Sequence, residues 1–308
     1  RYFYLTFVFV TGSAIMMLEM AAFRLVTPHF GASLFVWANI IGLVMIALAI
    51  GYYFGGKIAD FYAEKRILML LVLSCGVMVS FIPFLYKLSL PYFSVGRIKS
   101  FLFESLVLSS FAFTAILFII PLIILGMASP FVIRLQNKKI ETTGFTSGSI
   151  YAFSTLGSVF GTFFSAFLTI PFWGTKETIL FSGFLLILLS LIGLGKDLKK
   201  LFLFFLFVPV LMSSISLPKK ENIIYEKDSF YGLIEVIKDE KFGYILDINR
   251  SGHWSIFNPD KILTGTFFDY FLSLYFLLNE LDKGEKTNIL IIGHAGGTIS
   301  RQYLHFFG

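Results

Sequence analysis

Residues 34 to 56 read LFVWANIIGLVMIALAIGYYFGG and contain no Asp, Glu, Lys, Arg or His. As a helix rising about 1.5 Å per residue, this run reaches roughly 34 Å, enough to cross about 30 Å of hydrocarbon. Lys57 and Asp60 close it. Similar runs lie on either side, at about 2 to 26, 67 to 88, 101 to 127, 146 to 172, 177 to 195 and 200 to 217. Seven spans are therefore expected, the last being the shortest and interrupted by Pro209. The first run is too long for the apolar part of a signal peptide and more hydrophobic runs follow it, so it is read as a span.

The composition agrees with this reading. Of 308 residues, 56% are apolar and 14% charged, and the mean hydropathy is +0.81, more hydrocarbon than a soluble globule can hide. Up to Leu217 there are 15 Lys/Arg and 7 Asp/Glu; after it there are 10 and 12. The basic residues sit in short loops between apolar runs rather than in one stripe, which argues against a nucleic-acid partner and for a lipid bilayer. Cys75 is the single cysteine and lies within an apolar run, so neither a disulfide framework nor a cysteine-based metal site is expected. The chain begins at Arg1 and stops at Gly308 inside an expected helix, and is read as a fragment.

Lys and Arg in the loops orient the spans. The side that holds Arg1, Lys57, Lys65, Arg66 and Arg134 carries ten of them in all, and the side that holds Arg24, Lys87 and Lys176 carries five, or seven with Lys219 and Lys220. The richer side is expected to be cytoplasmic. Seven crossings then place the tail outside; if the run 200 to 217 lies along the surface or re-enters, the tail is cytoplasmic, which is the expectation adopted for this multi-pass protein of the cell membrane.

Within the spans, Glu19 lies in the last third of the first run, five positions before Arg24. Ionised groups at such depth cost about 2.5 kcal/mol or more unless paired or hydrated. They are read either as a proton or substrate relay or, more simply, as a snorkelling arginine with Glu19 paired to it or to a neighbouring helix. The pairs Gly51/Gly55, Gly144/Gly148 and Gly157/Gly161 give small faces for close helix packing. Pro121 and Pro130 are expected to kink or end the fourth span, and Trp37 and Trp173 fall near span ends.

After Pro218 the pattern turns to alternation. Residues 223 to 226, 232 to 238 and 242 to 247 read as three strands of an antiparallel meander, a subdomain over 218–262. In 263–308, Thr264 or Thr266 caps a helix to about Leu281 with Phe267, Phe268, Phe271, Leu274, Leu277 and Leu278 on its apolar face. Residues 288 to 292 read as a buried strand that runs into Gly293-His294-Ala295-Gly296-Gly297-Thr298 and a helix. A strand, a glycine turn and a helix start gather backbone N–H groups at one point, as at the opening of a Rossmann-like domain. Ala295 and Thr298 depart from GxGxxG, so nucleotide-type binding and an ordinary strand-to-helix turn both stay open.

The order of these pieces resembles the membrane-fused spermidine synthase-like proteins. It rests on Leu18-Glu19-Met20-Ala21-Ala22-Phe23-Arg24-Leu25, on Gly55-Gly56-Lys57-Ile58-Ala59-Asp60 and on Gly148-Ser149-Ile150-Tyr151-Ala152-Phe153-Ser154-Thr155-Leu156-Gly157-Ser158. In the tail it rests on Asp228-Ser229-Phe230-Tyr231-Gly232-Leu233-Ile234-Glu235-Val236, on Tyr244-Ile245-Leu246-Asp247 and on the glycine unit up to Arg301. The resemblance implies a major-facilitator-like membrane region, a β-subdomain and a Rossmann-like, methyltransferase-type domain that is incomplete here. It also implies aminopropyl transfer from decarboxylated S-adenosylmethionine to a polyamine acceptor. Gly293, His294, Gly296 and Gly297 would hold the nucleoside, and Tyr231, Asp247 and Asp269 would face the amine. Tyr231-Gly232 stands where relatives have Tyr-Gln, and Phe268-Asp269-Tyr270 where they have Tyr-His-Glu. The catalytic aspartate is expected beyond Gly308, and no metal is implied. The other reading is a transporter-like or sensing protein for a cationic metabolite with a degenerate, non-catalytic nucleotide-binding domain.

Overall fold

In a computed structural model, residues 2–93, 106–137, 142–194, 203–214, 222–282 and 289–307 are described. The chain divides into two compact units, one of Arg1–Pro218 with Asp228–Phe230, the other of Lys219–Lys227 with Tyr231–Gly308.

The first unit is helical. Its elements are α1 (Tyr2–Phe30), α2 (Leu34–Phe61), α3 (Lys65–Phe93), α4 (Leu106–Gly126), α5 (Ala128–Gln136), α6 (Thr143–Phe164), α7 (Ile170–Trp173), α8 (Thr175–Gly193) and α9 (Phe207–Ser213). Among the described residues, 6 helices are long and apolar enough to cross a membrane, α4 with α5 and α6 with α7 each counting as one. Pro121 does not end α4. The break comes at Met127, where Pro130, in the first turn of α5, has no N–H to return to the Gly126 carbonyl. A π-helical turn, Ser165–Thr169, joins α6 to α7.

Close crossings hold three helix pairs. Gly157 and Gly161 of α6 lie against Phe9 and Ser13 of α1, Gly51 of α2 against Ile123 and Gly126 of α4, and Gly76 of α3 against Gly183 and Ile187 of α8. Lipid tails are as apolar as leucine, so such contacts hold helices by dispersion and by polar bridges rather than by expelling water. The bridges are present. Ser13 Oγ donates to Gly157 O at 2.8 Å, Ser158 Oγ to Gly12 O at 3.3 Å, and Asn39 Nδ2 to Val107 O at 2.6 Å. Cys75 is buried in this core and its thiol faces Pro121 O at 3.4 Å. Gly144 and Gly148 play no such part, because the space beside each is open.

The expected seventh span is not formed by the described residues. A 3-10 turn, Leu203–Leu206, leads into α9, and an apolar helix over Phe204–Ser213 reaches only about half of the hydrocarbon thickness. Residues 200 to 202 and 215 to 217 lie outside the described residues. Lys176, in the first turn of α8, donates to the carbonyl of Ser213 at the end of α9, so α9 lies antiparallel to α8.

The second unit is a four-stranded sheet in the order β1 (Ile223–Asp228), β2 (Leu233–Asp239), β3 (Gly243–Ile248), β4 (His253–Phe257), followed by helices α10 (Ser273–Asp282) and α11 (Thr298–Phe307). The pairs β2/β3 and β3/β4 are antiparallel, with a bulge at Leu246/Asp247. Ile237, Ile245, Ile256 and Phe268 make the small core, with Ile223, Phe242 and Ile299 against it.

Several expectations for the tail need correction. Among the described residues there are four strands rather than three. The fourth was hidden because the turn before it holds Asn249 and Arg250 at φ 55° and 54°, a type I′ conformation that sequence marks by glycine. The helix from Thr264 or Thr266 to Leu281 is a 3-10 segment, Phe267–Leu272, and then α10, and Thr266 makes no side-chain cap. Of its expected apolar face only Phe268 is buried; Phe267, Phe271, Leu274 and Leu277 are exposed, and the Leu278 side chain lies outside the described residues. Asn288 also lies outside them, and residues 289 to 292 form no strand, with Leu290 and Ile292 exposed at 85% and 89%. A buried strand needs neighbours on both edges, and no described strand lies beside this one.

Candidate functional site

The glycine unit forms a tight loop. Gly293, Ala295 and Gly297 all have positive φ (87°, 44° and 85°), and Gly297 N donates to His294 O at 2.9 Å, so the chain turns sharply into α11. Thr298 fixes the helix start to β4. Its hydroxyl accepts from Ile256 N at 2.7 Å and lies 2.6 Å from Ser255 Oγ, while Thr298 N donates to Ser255 Oγ at 3.3 Å. Gly296 rests on Ser255, where a Cβ would come within 2.9 Å. His294 folds back over the first turn of α11, with Nδ1 2.9 Å from Ser300 Oγ. Open space lies beside Gly293. Such a loop can present backbone N–H groups and the positive end of a helix to the polar edge of a ligand.

The residues expected to face an amine occupy different places. Tyr231 is 94% exposed. Asp269 is only partly buried. Burial alone would raise its carboxyl, but hydrogen bonds from Thr264 N and Oγ1, Gly265 N and Gln302 Nε2 outweigh that and hold it below the usual carboxylate range. Its oxygens are engaged in tying the 264–266 loop to α11. Asp247 is buried in the sheet directly across from Glu235 on β2. Burial pushes its carboxyl up, a hydrogen bond from Gly252 N opposes the rise, and the neighbouring Glu235 adds to it.

Glu235 was not singled out in the sequence, although strand alternation with Ile237 puts it on the inward face. It is fully buried and takes a forked pair of hydrogen bonds from Arg250, with Nη2 at 2.8 Å and Nε at 3.0 Å from Oε1. The guanidinium offsets the charge that burial would otherwise leave uncompensated. A cleft of about 650 Å³ opens elsewhere, lined by Asn222, Ile223, Ile224 and residues 238 to 241, and contains none of the expected ligand residues.

In the helical unit, the residues of α1 from Ala14 to Thr27 are buried except for one stripe, Met16, Glu19, Met20, Phe23 and Arg24. Glu19 and Arg24 share it without pairing. Arg24 Nη2 donates to Phe230 O at 2.7 Å, and Asp228 Oδ2 accepts from Thr175 N at 2.8 Å and from Thr175 Oγ1 at 2.9 Å. Glu19 makes no hydrogen bond or ion pair with any described residue, contrary to the simpler of its two sequence readings. Among the described residues no group of three His, Cys, Asp or Glu side chains could hold a metal.

No family model, curated protein or solved structure matches the chain.

Proposed function

We propose that this is a membrane-bound, spermidine synthase-like protein whose tail grips the nucleoside of a sulfonium donor, decarboxylated S-adenosylmethionine, for aminopropyl transfer to a polyamine. The observation that supports the reading is the loop from Gly293 to Gly297, with three positive φ angles in five residues leading into α11. In that role Gly293, His294, Gly296 and Gly297 border the nucleoside, as the opening turn of a Rossmann-like fold does. The reading needs a cytoplasmic tail, since such donors are made in the cytosol. Calorimetry of the full-length protein, with its complete tail, in detergent with the donor and with its thioether by-product tests it: heat with both is expected, and no heat with either removes the proposal.

A second reading is favoured by Glu19, which makes no hydrogen bond or ion pair with any described residue: the helical unit moves or senses a cationic metabolite and the tail regulates it. Protease treatment of intact cells separates the two. A tail that is protected fits the enzyme reading, whereas a tail shaved from outside leaves only the second.

A further inference from the structure

We infer that the half-exposed stripe of α1 centred on Glu19 is a binding site for a monovalent organic ammonium ion. The inference deepens the transport or sensing reading and is independent of the glycine loop. Glu19 is the eighteenth residue of a 29-residue helix, so roughly 16 Å of helix separates it from the α1 C-terminus and its carboxylate lies deep within the span. Arg24, the one cation in the same stripe, is turned to Phe230 O instead.

A carboxylate at that depth facing lipid alone is unfavourable, and no described protein group compensates it. Its surroundings indicate the chemistry that does. Met16, one turn before it, and Met20, its neighbour in sequence about 100° further round the helix, belong to the same half-buried stripe and carry polarisable thioethers. Phe23, one turn on in the same stripe, has its ring 4.3 Å from that of Trp37 on α2. One carboxylate, two aromatic rings and two thioethers suit a single ammonium carrying hydrocarbon, with the charge on Glu19 and the rings offering their faces. A small hydrated ion would gain nothing from the rings or the thioethers.

The probe is n-butylammonium, with Na⁺ as the inorganic control, added to the chain in lipid nanodiscs. Trp173 and Trp254 are replaced by Phe so that Trp37 alone reports. A saturable change in Trp37 emission is expected, weakened at least tenfold by Glu19→Gln, kept by Glu19→Asp and weakened by Phe23→Leu. In the unaltered chain, n-butylammonium should slow dicyclohexylcarbodiimide labelling of Glu19, read by mass spectrometry, which requires no variant to fold. Equal midpoints for wild type and Glu19→Gln, equal responses to Na⁺, or unprotected labelling would each overturn the site. Binding without uptake into proteoliposomes would support the site while removing transport. A loss of nucleoside binding by the tail leaves these outcomes unchanged, so the two proposals fail separately.

Discussion

Ser13 and Gly157 are joined across α1 and α6 by a hydrogen bond of 2.8 Å, made possible because Gly157 has no side chain to hold the backbones apart. A Cβ at Gly157 would overlap the Phe9 carbonyl oxygen. Gly157→Ala is therefore expected to destabilise the helical unit by about 1 to 3 kcal/mol. Gly148→Ala, about two and a half turns earlier in the same helix, enters open space and removes a helix-interior glycine, for a gain of up to about 1 kcal/mol. Thermal unfolding of both variants in one detergent checks the contrast; equal losses would remove the close-crossing argument.

Arg250 is held in a left-handed turn by Glu235, whose side chain is fully buried. Arg250→Ala leaves that carboxylate without its partner and is expected to cost about 3 to 5 kcal/mol. Replacing both residues, Glu235→Leu with Arg250→Gly, should recover most of the loss, because the charge is gone and glycine suits the turn. Amide hydrogen exchange of β2 and β3 reads both variants.

Asp247 gives a pH signature. Its folded-state carboxyl lies above the ordinary value, so its contribution to stability is full below the unfolded value and is lost as the pH rises through the folded one. Asp247→Asn keeps an oxygen to accept from Gly252 N and removes the charge. The variant should melt higher than the wild type at pH 7, and the difference should vanish toward pH 4. Trp254 on β4, with the other tryptophans replaced, reports the transition; a gain independent of pH counts against burial as the cause.

Ala295 stands at φ 44°, a conformation that costs a residue with a Cβ about 1 to 2 kcal/mol. Ala295→Gly relieves this and gives back about 0.5 to 1 kcal/mol in chain entropy, for a net gain near 0.5 to 1 kcal/mol. If the loop holds a nucleoside, calorimetry should show the variant binding at least as well as the wild type.

The sequence made the helical unit plain because spans are decided by length and by the absence of charge, which residues 34 to 56 display without any tertiary information. Gly51, Gly55, Gly157 and Gly161 meet a neighbouring backbone as their spacing suggests, whereas Gly144 and Gly148 share the spacing but have open space beside them among the described residues. The tail was harder. Its fourth strand was obscured by Arg250, which occupies a glycine-type position only because a residue fifteen places earlier holds it. The apolar run before Gly293 reads as a strand, but pairing is decided by neighbouring strands rather than by the run itself. Likewise Asp269 carries the charge expected of an amine site, yet its oxygens are engaged by Thr264, Gly265 and Gln302, partners that spacing does not reveal.

The dependence of Arg250 on Glu235 also implies an order of assembly. A hairpin closed by Asn-Gly can nucleate by itself, but the link between β3 and β4 is stabilised by a carboxylate from β2. β2 and β3 are therefore expected to zip first, and the second hairpin to close onto them. An isolated peptide of residues 243 to 257 should remain open in water, while one of residues 232 to 257 should show the cross-strand proton contacts of both turns.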